Sequence, residues 1–189
     1  TRLADAGATV IKVERPEGDF ARDYDANIKG QSSYFVWLNR GKQSAVLDLA
    51  APQDKALLEA MLAKADVFVQ NFRKGVAGRL GLDATTLRAR NPRLIYASAT
   101  GYGPEGPDSG EPSFDYLGQS RSGLLYAACG PRDMPPTYIV GGIADQMGAI
   151  MLSHGILTAL LVRERTGVGQ AVDASHLGSM MSLMGLNIS

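Results

Sequence analysis

Five short runs rich in β-branched and aromatic residues recur along the chain, and helical patterns separate most of them. The runs are "TVIKV" (Thr9–Val13), "SAVLDL" (Ser44–Leu49), "DVFVQ" (Asp66–Gln70), "LIYASAT" (Leu94–Thr100) and "QAVDA" (Gln170–Ala174). Between them, "PQDKALLEAMLAKA" sets Leu57, Leu58, Met61 and Leu62 on one helical face, and "LDATTLRARN" offers Asp83 as a helix N-cap. Residues Asp115 to Leu125 and the run after Asp145 are further helices, and Gly7 reads as a helix C-cap. Strands alternating with helices need crossover connections, which predicts an α/β fold with a parallel sheet and crossover helices.

Composition narrows the class. The 189 residues are 45% hydrophobic and 20% charged, with formal net charge zero, which suits one globular core and gives nucleic acid no basic surface. Cys129 is the single cysteine, so no internal disulfide can form and a reducing, cytoplasmic setting is expected. The longest apolar run, Met147 to Val162, contains His154 and is shorter than the roughly 20 residues of a membrane span. A buried core helix is expected there, and no membrane partner. The chain opens on "TRLADAGATVIKVE" and closes on "GSMMSLMGLNIS", both in helical pattern. Residues 1–189 therefore read as an incomplete α/β domain cut from a longer chain.

Several motifs lead nowhere. "GYGPEG" (Gly101–Gly106) has the dinucleotide-binding spacing, but Pro104, Pro107 and Pro112 continue the loop where that motif must open a helix. No NAD or flavin is expected. Two histidines and one cysteine, none at ligand spacing, predict no metal. His154 follows Asp145 by nine residues. In one straight helix that sets them on opposite faces, over ~13 Å apart along the axis. His154 lines up with Met147, Ile150, Met151 and Leu161 and reads as a packed core histidine, whereas His176, behind Ser175 at a helix start, reads as structural or exposed.

Two features point to a ligand. "QNFRKGVAGR" clusters Arg73, Lys74 and Arg79 after one strand, and Arg15 follows another. Cations at the carboxyl ends of parallel strands suit an anionic, phosphorylated ligand. "IVGGIADQMGAIMLSHGIL" sets two glycines and a lone carboxylate, Asp145, at the head of an apolar helix. Asp145 is either the helix cap or a reacting group.

The stretches "LADAGATVIKVERPEGD", "SYFVWLNRGKQSAVLDL", "ADVFVQNFRKGVAGRLGL", "NPRLIYASATGYGPEGP" and "GILTALLVRERTGVGQAVDAS" together resemble the family III CoA-transferases. That group includes formyl-CoA transferase, carnitine CoA-transferase and α-methylacyl-CoA racemase. The resemblance implies the N-terminal part of a Rossmann-like large domain, in a protein of roughly twice this length whose subunits interlock as a homodimer. It implies Asp145 as the catalytic aspartate, and Arg15, Leu47, Asn71, Phe72, Arg73 and Arg79 as positions around the CoA nucleotide. "SFD" (Ser113–Asp115) matches a segment lining the thioester end, which adds Asp115 to the CoA site. Ala50 departs from a lysine found in some members. Phe114 stands where the racemases carry a histidine base, and phenylalanine cannot transfer a proton.

The activity implied is CoA transfer from an acyl-CoA to a free carboxylic acid through an aspartyl anhydride and an aspartyl-CoA thioester. An ionised carboxylate can both attack and leave. The helix N-terminus would offer backbone N–H groups to the oxyanion, and Gly141 and Gly142 would admit the acyl group closely. The alternatives are a racemase or isomerase using Asp145, and a non-catalytic CoA-binding relative.

Overall fold

The computed structural model describes residues 1–128 and 134–188, so Cys129 and the start of the loop at Pro131 lie outside the described residues. Every predicted strand is present, and all pairings between them are parallel. They are shared between two sheets and two compact units, Thr1–Lys64 and Ala65–Ser189.

In the first unit, α1 (Arg2–Asp5) turns through Gly7, at φ +96°, into β1 (Val10–Glu14). After α2 (Ser33–Asn39) comes β2 (Lys42–Val46), in register from Val10 against Lys42 to Glu14 against Val46. β2 begins and ends earlier than the apolar pattern suggested. The Asp48 amide turns to the Asp54 carboxylate (2.8 Å), which opens α3 (Pro52–Leu62) instead of extending the ladder. Glu14 ends β1 buried, accepting from Arg22 (3.0 and 3.1 Å), Ser44 (2.8 Å) and the Asp19 amide (3.2 Å). The Arg22 guanidinium also lies over the Phe35 ring, 3.9 Å from its centroid.

The second unit has strand order β3-β4-β5, from β3 (Val67–Gln70), β4 (Ile95–Thr100) and β5 (Ala171–Ser175). The crossover from β3 carries α4 (Val76–Leu80) and α5 (Ala84–Arg90), and Asp83 caps α5 by accepting from the Thr86 amide (2.9 Å). The crossover from β4 carries α6 (Asp115–Arg121), α7 (Leu124–Ala128) and α8 (Ile143–Thr166). One helix was expected over Asp115–Leu125. It breaks at Gly123, whose φ of +82° ends the α6 backbone path. α9 (His176–Leu183) follows β5 directly, and α10 (Gly185–Ile188) ends the described chain.

β4 is the central strand, and Ile95 and Ala97 are fully buried, as parallel strands covered on both faces require. α8 lays Ala144, Gly148, Leu152, Ile156, Ala159 and Arg163 toward that core. Two expectations are corrected here. The helix runs 24 residues, long and apolar enough by length and composition to cross a membrane, rather than the shorter run anticipated. His154 is exposed, not packed, and so are Ile150, Met151 and Leu161 beside it. Apolar residues occur all round α8, so periodicity alone could not tell the inward stripe from its neighbour.

Candidate active site

α6, α8 and α9 pack on one another at the carboxyl ends of β4 and β5. Their close approach depends on Gly118 of α6. A methyl group there would sit 2.9 Å from both Ala144 Cβ and His176 Cβ, a separation real side chains do not tolerate.

The start of α8 settles whether Asp145 is its cap. The N-cap is Gly142, at φ +71°, and it has no side chain to accept a bond. Asp145 lies in the first turn, three residues further on. The capping carboxylate comes from α6 instead: Asp115 Oδ1 accepts from the amides of Ala144 (2.7 Å) and Asp145 (3.2 Å). Its Oδ2 accepts from Gln119 Nε2 (2.6 Å) and the Tyr138 hydroxyl (3.0 Å). Gln119, fully buried, also grips both backbone groups of Ile139. A buried acid therefore satisfies orphan amides that Gly142 cannot.

That arrangement bears on two expectations. Asp115 was expected to line the thioester end, yet it is buried with both oxygens engaged by protein donors. Backbone N–H groups of this helix N-terminus were expected to serve an oxyanion, and two of them, those of Ala144 and Asp145, already point at Asp115.

Asp145 itself has an exposed side chain, 59% accessible, and its Oδ1 lies 2.9 Å from His176 Nε2. Ser175 caps α9 by accepting from the Gly178 amide (3.0 Å), which fixes His176 as the first residue of that helix. The Leu177 amide donates to Gly101 O (3.0 Å), tying the helix start to the end of β4. The other imidazole nitrogen, Nδ1, is 3.3 Å from Ser113 Oγ. His176, which the sequence presents as structural or exposed, is thus the side chain beside Asp145. Its position directly after a parallel strand, behind a capping serine, was the signal available, because that edge is where such folds gather functional groups.

The remaining predicted residues divide by unit. Asn71, Phe72 and Arg73 follow β3, with Phe72 N–H donating to Gln70 Oε1 (2.7 Å), and Arg79 is exposed on α4. The neighbouring Lys74 donates to Ser109 Oγ (2.6 Å), so the loop that ends at Ser113 is anchored from the β3 side as well. In the other unit, Arg15 follows β1 with an exposed side chain, its Nε donating to Gly18 O (3.1 Å). Leu47 is buried just after β2, its amide donating to Glu14 O (2.9 Å). Gly101–Gly106 stays a loop, and the next helix begins only at Asp115. Among the described residues, no group of three His, Cys, Asp or Glu side chains could hold a metal.

The fold is that of open α/β proteins that bind ligands at the carboxyl edge of a parallel sheet, here with an exposed aspartate on that edge. A family model described as CoA-transferase family III matches residues 1–189, and the chain belongs to that family. It is 42% identical over 186 residues to the acetyl-CoA:oxalate CoA-transferase of Acetobacter aceti, covering 97% of this chain and 48% of the relative. It is 40% identical over 190 residues to the succinyl-CoA:mesaconate CoA-transferase of Haloarcula hispanica, covering 96% and 48%. Among solved structures, a CAIB/BAIF family protein from Brucella suis superposes with TM-score 0.91 at 35% identity, covering 98% of this chain and 50% of that one. The chain thus spans about half the length of the curated relatives it matches.

Proposed function

We propose that this protein moves coenzyme A from an acyl-CoA to a free carboxylic acid, with Asp145 as the nucleophile. The observation that carries the reading is the exposed carboxylate on the first turn of α8, whose capping duty Asp115 has taken over. Asp145 attacks the thioester carbonyl and releases CoA thiolate, leaving a mixed anhydride. The thiolate then attacks Asp145 Cγ and expels the donor acid, which gives an aspartyl-CoA thioester. The acceptor carboxylate reverses these steps and leaves as the new thioester. Splitting one transfer between two good leaving groups is what a carboxylate nucleophile contributes.

Arg15, Asn71, Phe72, Arg73, Arg79 and Leu47 hold the CoA nucleotide in this reading, the arginines through charge-assisted phosphate contacts. Asp115 supports the nucleophile's helix and does not touch the acyl-CoA. The protein works in the cytoplasm as an interlocked homodimer, without metal or redox cofactor.

The test uses the full-length protein with acetyl-CoA and succinyl-CoA, each offered oxalate, mesaconate and other small acids. Transfer of CoA, with a hydroxylamine-sensitive adduct on the Asp145 peptide by mass, is expected for at least one pair. CoA binding without any adduct would leave a CoA-binding relative as the answer. Loss of α-hydrogen to deuterated solvent without an acceptor acid would make it a racemase or isomerase.

A further inference from the structure

Among the described residues, Asp145 bonds to one side chain, through one oxygen, and that side chain has a partner at each ring nitrogen. His176 Nε2 lies 2.9 Å from Oδ1, and a carboxylate oxygen needs a donor there, so Nε2 carries the proton. In the neutral ring Nδ1 is then bare, and the Ser113 hydroxyl, 3.3 Å away, can donate to it in place of its longer bond to Phe114 O (3.4 Å). The side chain packs against two glycines. Its Cβ faces Gly118, and its Cδ2 edge faces Gly148, where an added methyl would lie at 3.5 Å. The histidine side chain is 21% accessible against 59% for the aspartate.

We infer that His176 is the positioning residue for Asp145, and that it becomes the oxyanion donor when Asp145 turns from nucleophile to electrophile. This rests on the transfer reading above. With the His176 N–H on one oxygen, the other is the one free to attack. The first step forms a bond from that oxygen to the acyl carbon and breaks the acyl carbon–sulfur bond. In the second, CoA sulfur bonds to Asp145 Cγ, the Cγ–oxygen bond to the acyl group breaks, and the donor acid departs with that oxygen. The oxygen left on Cγ is the one His176 holds. It carries the negative charge of each tetrahedral adduct at Cγ and is the carbonyl oxygen of the aspartyl-CoA thioester.

Acceptor carboxylate then bonds to Cγ as the Cγ–sulfur bond breaks. Finally thiolate attacks the acceptor's carbonyl carbon, and its bond to the bridging oxygen breaks, restoring the aspartate. No proton is consumed, so His176 need only donate, not transfer. Two of the helix amides, Ala144 N–H and Asp145 N–H, are already bonded to Asp115, which leaves the His176 N–H as the donor on Oδ1.

The experiment compares His176→Leu, which removes the donor, with His176→Gln, whose side-chain amide can place a donor near the Nε2 position. Both are made in the full-length protein. With the acyl-CoA and acid pair that the panel identifies, His176→Leu is expected to lower kcat roughly 10²-fold, as loss of one oxyanion donor does elsewhere. CoA affinity should stay unchanged, and His176→Gln should recover a large part of kcat. With carboxyl-13C aspartate incorporated, the infrared carbonyl band of the trapped aspartyl-CoA thioester should move to higher wavenumber in His176→Leu. A folded His176→Leu variant with near-parental kcat and an unmoved band would overturn the inference, as would equal losses in both variants.

If the parent forms no Asp145 adduct, the transfer reading fails, and the clamp is judged separately by 15N-histidine NMR. The expected signature at alkaline pH is protonated Nε2 with bare Nδ1, altered in Asp145→Ala. A ring protonated at Nδ1, or one indifferent to Asp145→Ala, would overturn it.

Discussion

Two acids stand at the start of α8, and the structure treats them in opposite ways. Asp115 is buried and receives four hydrogen bonds, two from backbone amides and two from Gln119 and Tyr138. Asp145, thirty residues on, is exposed and meets one imidazole. A carboxylate whose lone pairs are all engaged is structural, because any reaction would first break bonds that water cannot replace in the interior. One left with an oxygen open to solvent is available for chemistry. Glu14, at the end of β1 in the other unit, belongs with Asp115: it is buried and saturated by Arg22, Ser44 and an amide.

The sharpest way to break this comparison is to change both α8 acids. Asp145→Asn should fold as the parent does, bind CoA and lose turnover by on the order of 10³-fold or more, since an amide cannot form the anhydride. Near-normal turnover, with reversion to aspartate excluded by mass, would show that Asp145 is not the nucleophile. Asp115→Ala should act through stability. It strands the Ala144 and Asp145 amides and takes one partner from Gln119, at a cost of about 2–4 kcal/mol of stability, read from denaturant unfolding of the full-length protein. Should Asp115→Ala leave stability intact, the assignment of Asp115 as the cap of α8 fails.

These two acids also mark what the sequence could and could not disclose. Strands were legible because β-branched runs bounded by breakers have few other uses, and Asp83 was legible because an aspartate before a helical pattern caps locally. Asp145 drew attention for its isolation in an apolar run. Its freedom was not legible, since the cap that relieves it comes from a helix far back in the chain. The place of His176 beside Asp145 was hidden for the same reason. Its partner on α8 and its second partner, Ser113, meet it only after β4 and β5 have paired. His154, the histidine nearer in sequence, is the one the fold turns outward.

A smaller effect tests the surface cations against the buried acids. Arg79 is exposed on α4, so removing it should cost the fold little. Arg79→Ala should weaken CoA binding by about tenfold, the worth of one charge-assisted contact, and barely change binding of a pantetheine thioester without the nucleotide. Equal loss for both ligands would remove Arg79 from the phosphate site and place its effect nearer the acyl end.

The smallest expected effect concerns Glu14 and sharpens the idea that saturated carboxylates are structural. Burial alone would raise the Glu14 carboxyl, but bonds from Ser44 and Arg22 and the charges of Lys12 and Arg22 outweigh it and hold it below the ordinary 4.5. Asp19 behaves likewise: burial pushes it up, while the Lys12 bond and the Ala21 amide bring the net shift down. A carboxyl whose folded value lies below its unfolded value binds its proton more weakly when folded. Its stabilisation is therefore complete above the unfolded value near 4.5 and is lost as pH falls through the lower folded value. Glu14→Gln abolishes that titration. It should lower stability at neutral pH, where the Arg22 guanidinium, 3.0 Å from the carboxylate, loses its charged partner. Between neutral pH and the acid limb, the gap between parent and Glu14→Gln should narrow as acid protonates the parent's Glu14. Measured as urea midpoints from pH 7 downward, a gap that stays constant to the lowest pH at which both fold would show that Glu14 contributes by shape and not by charge.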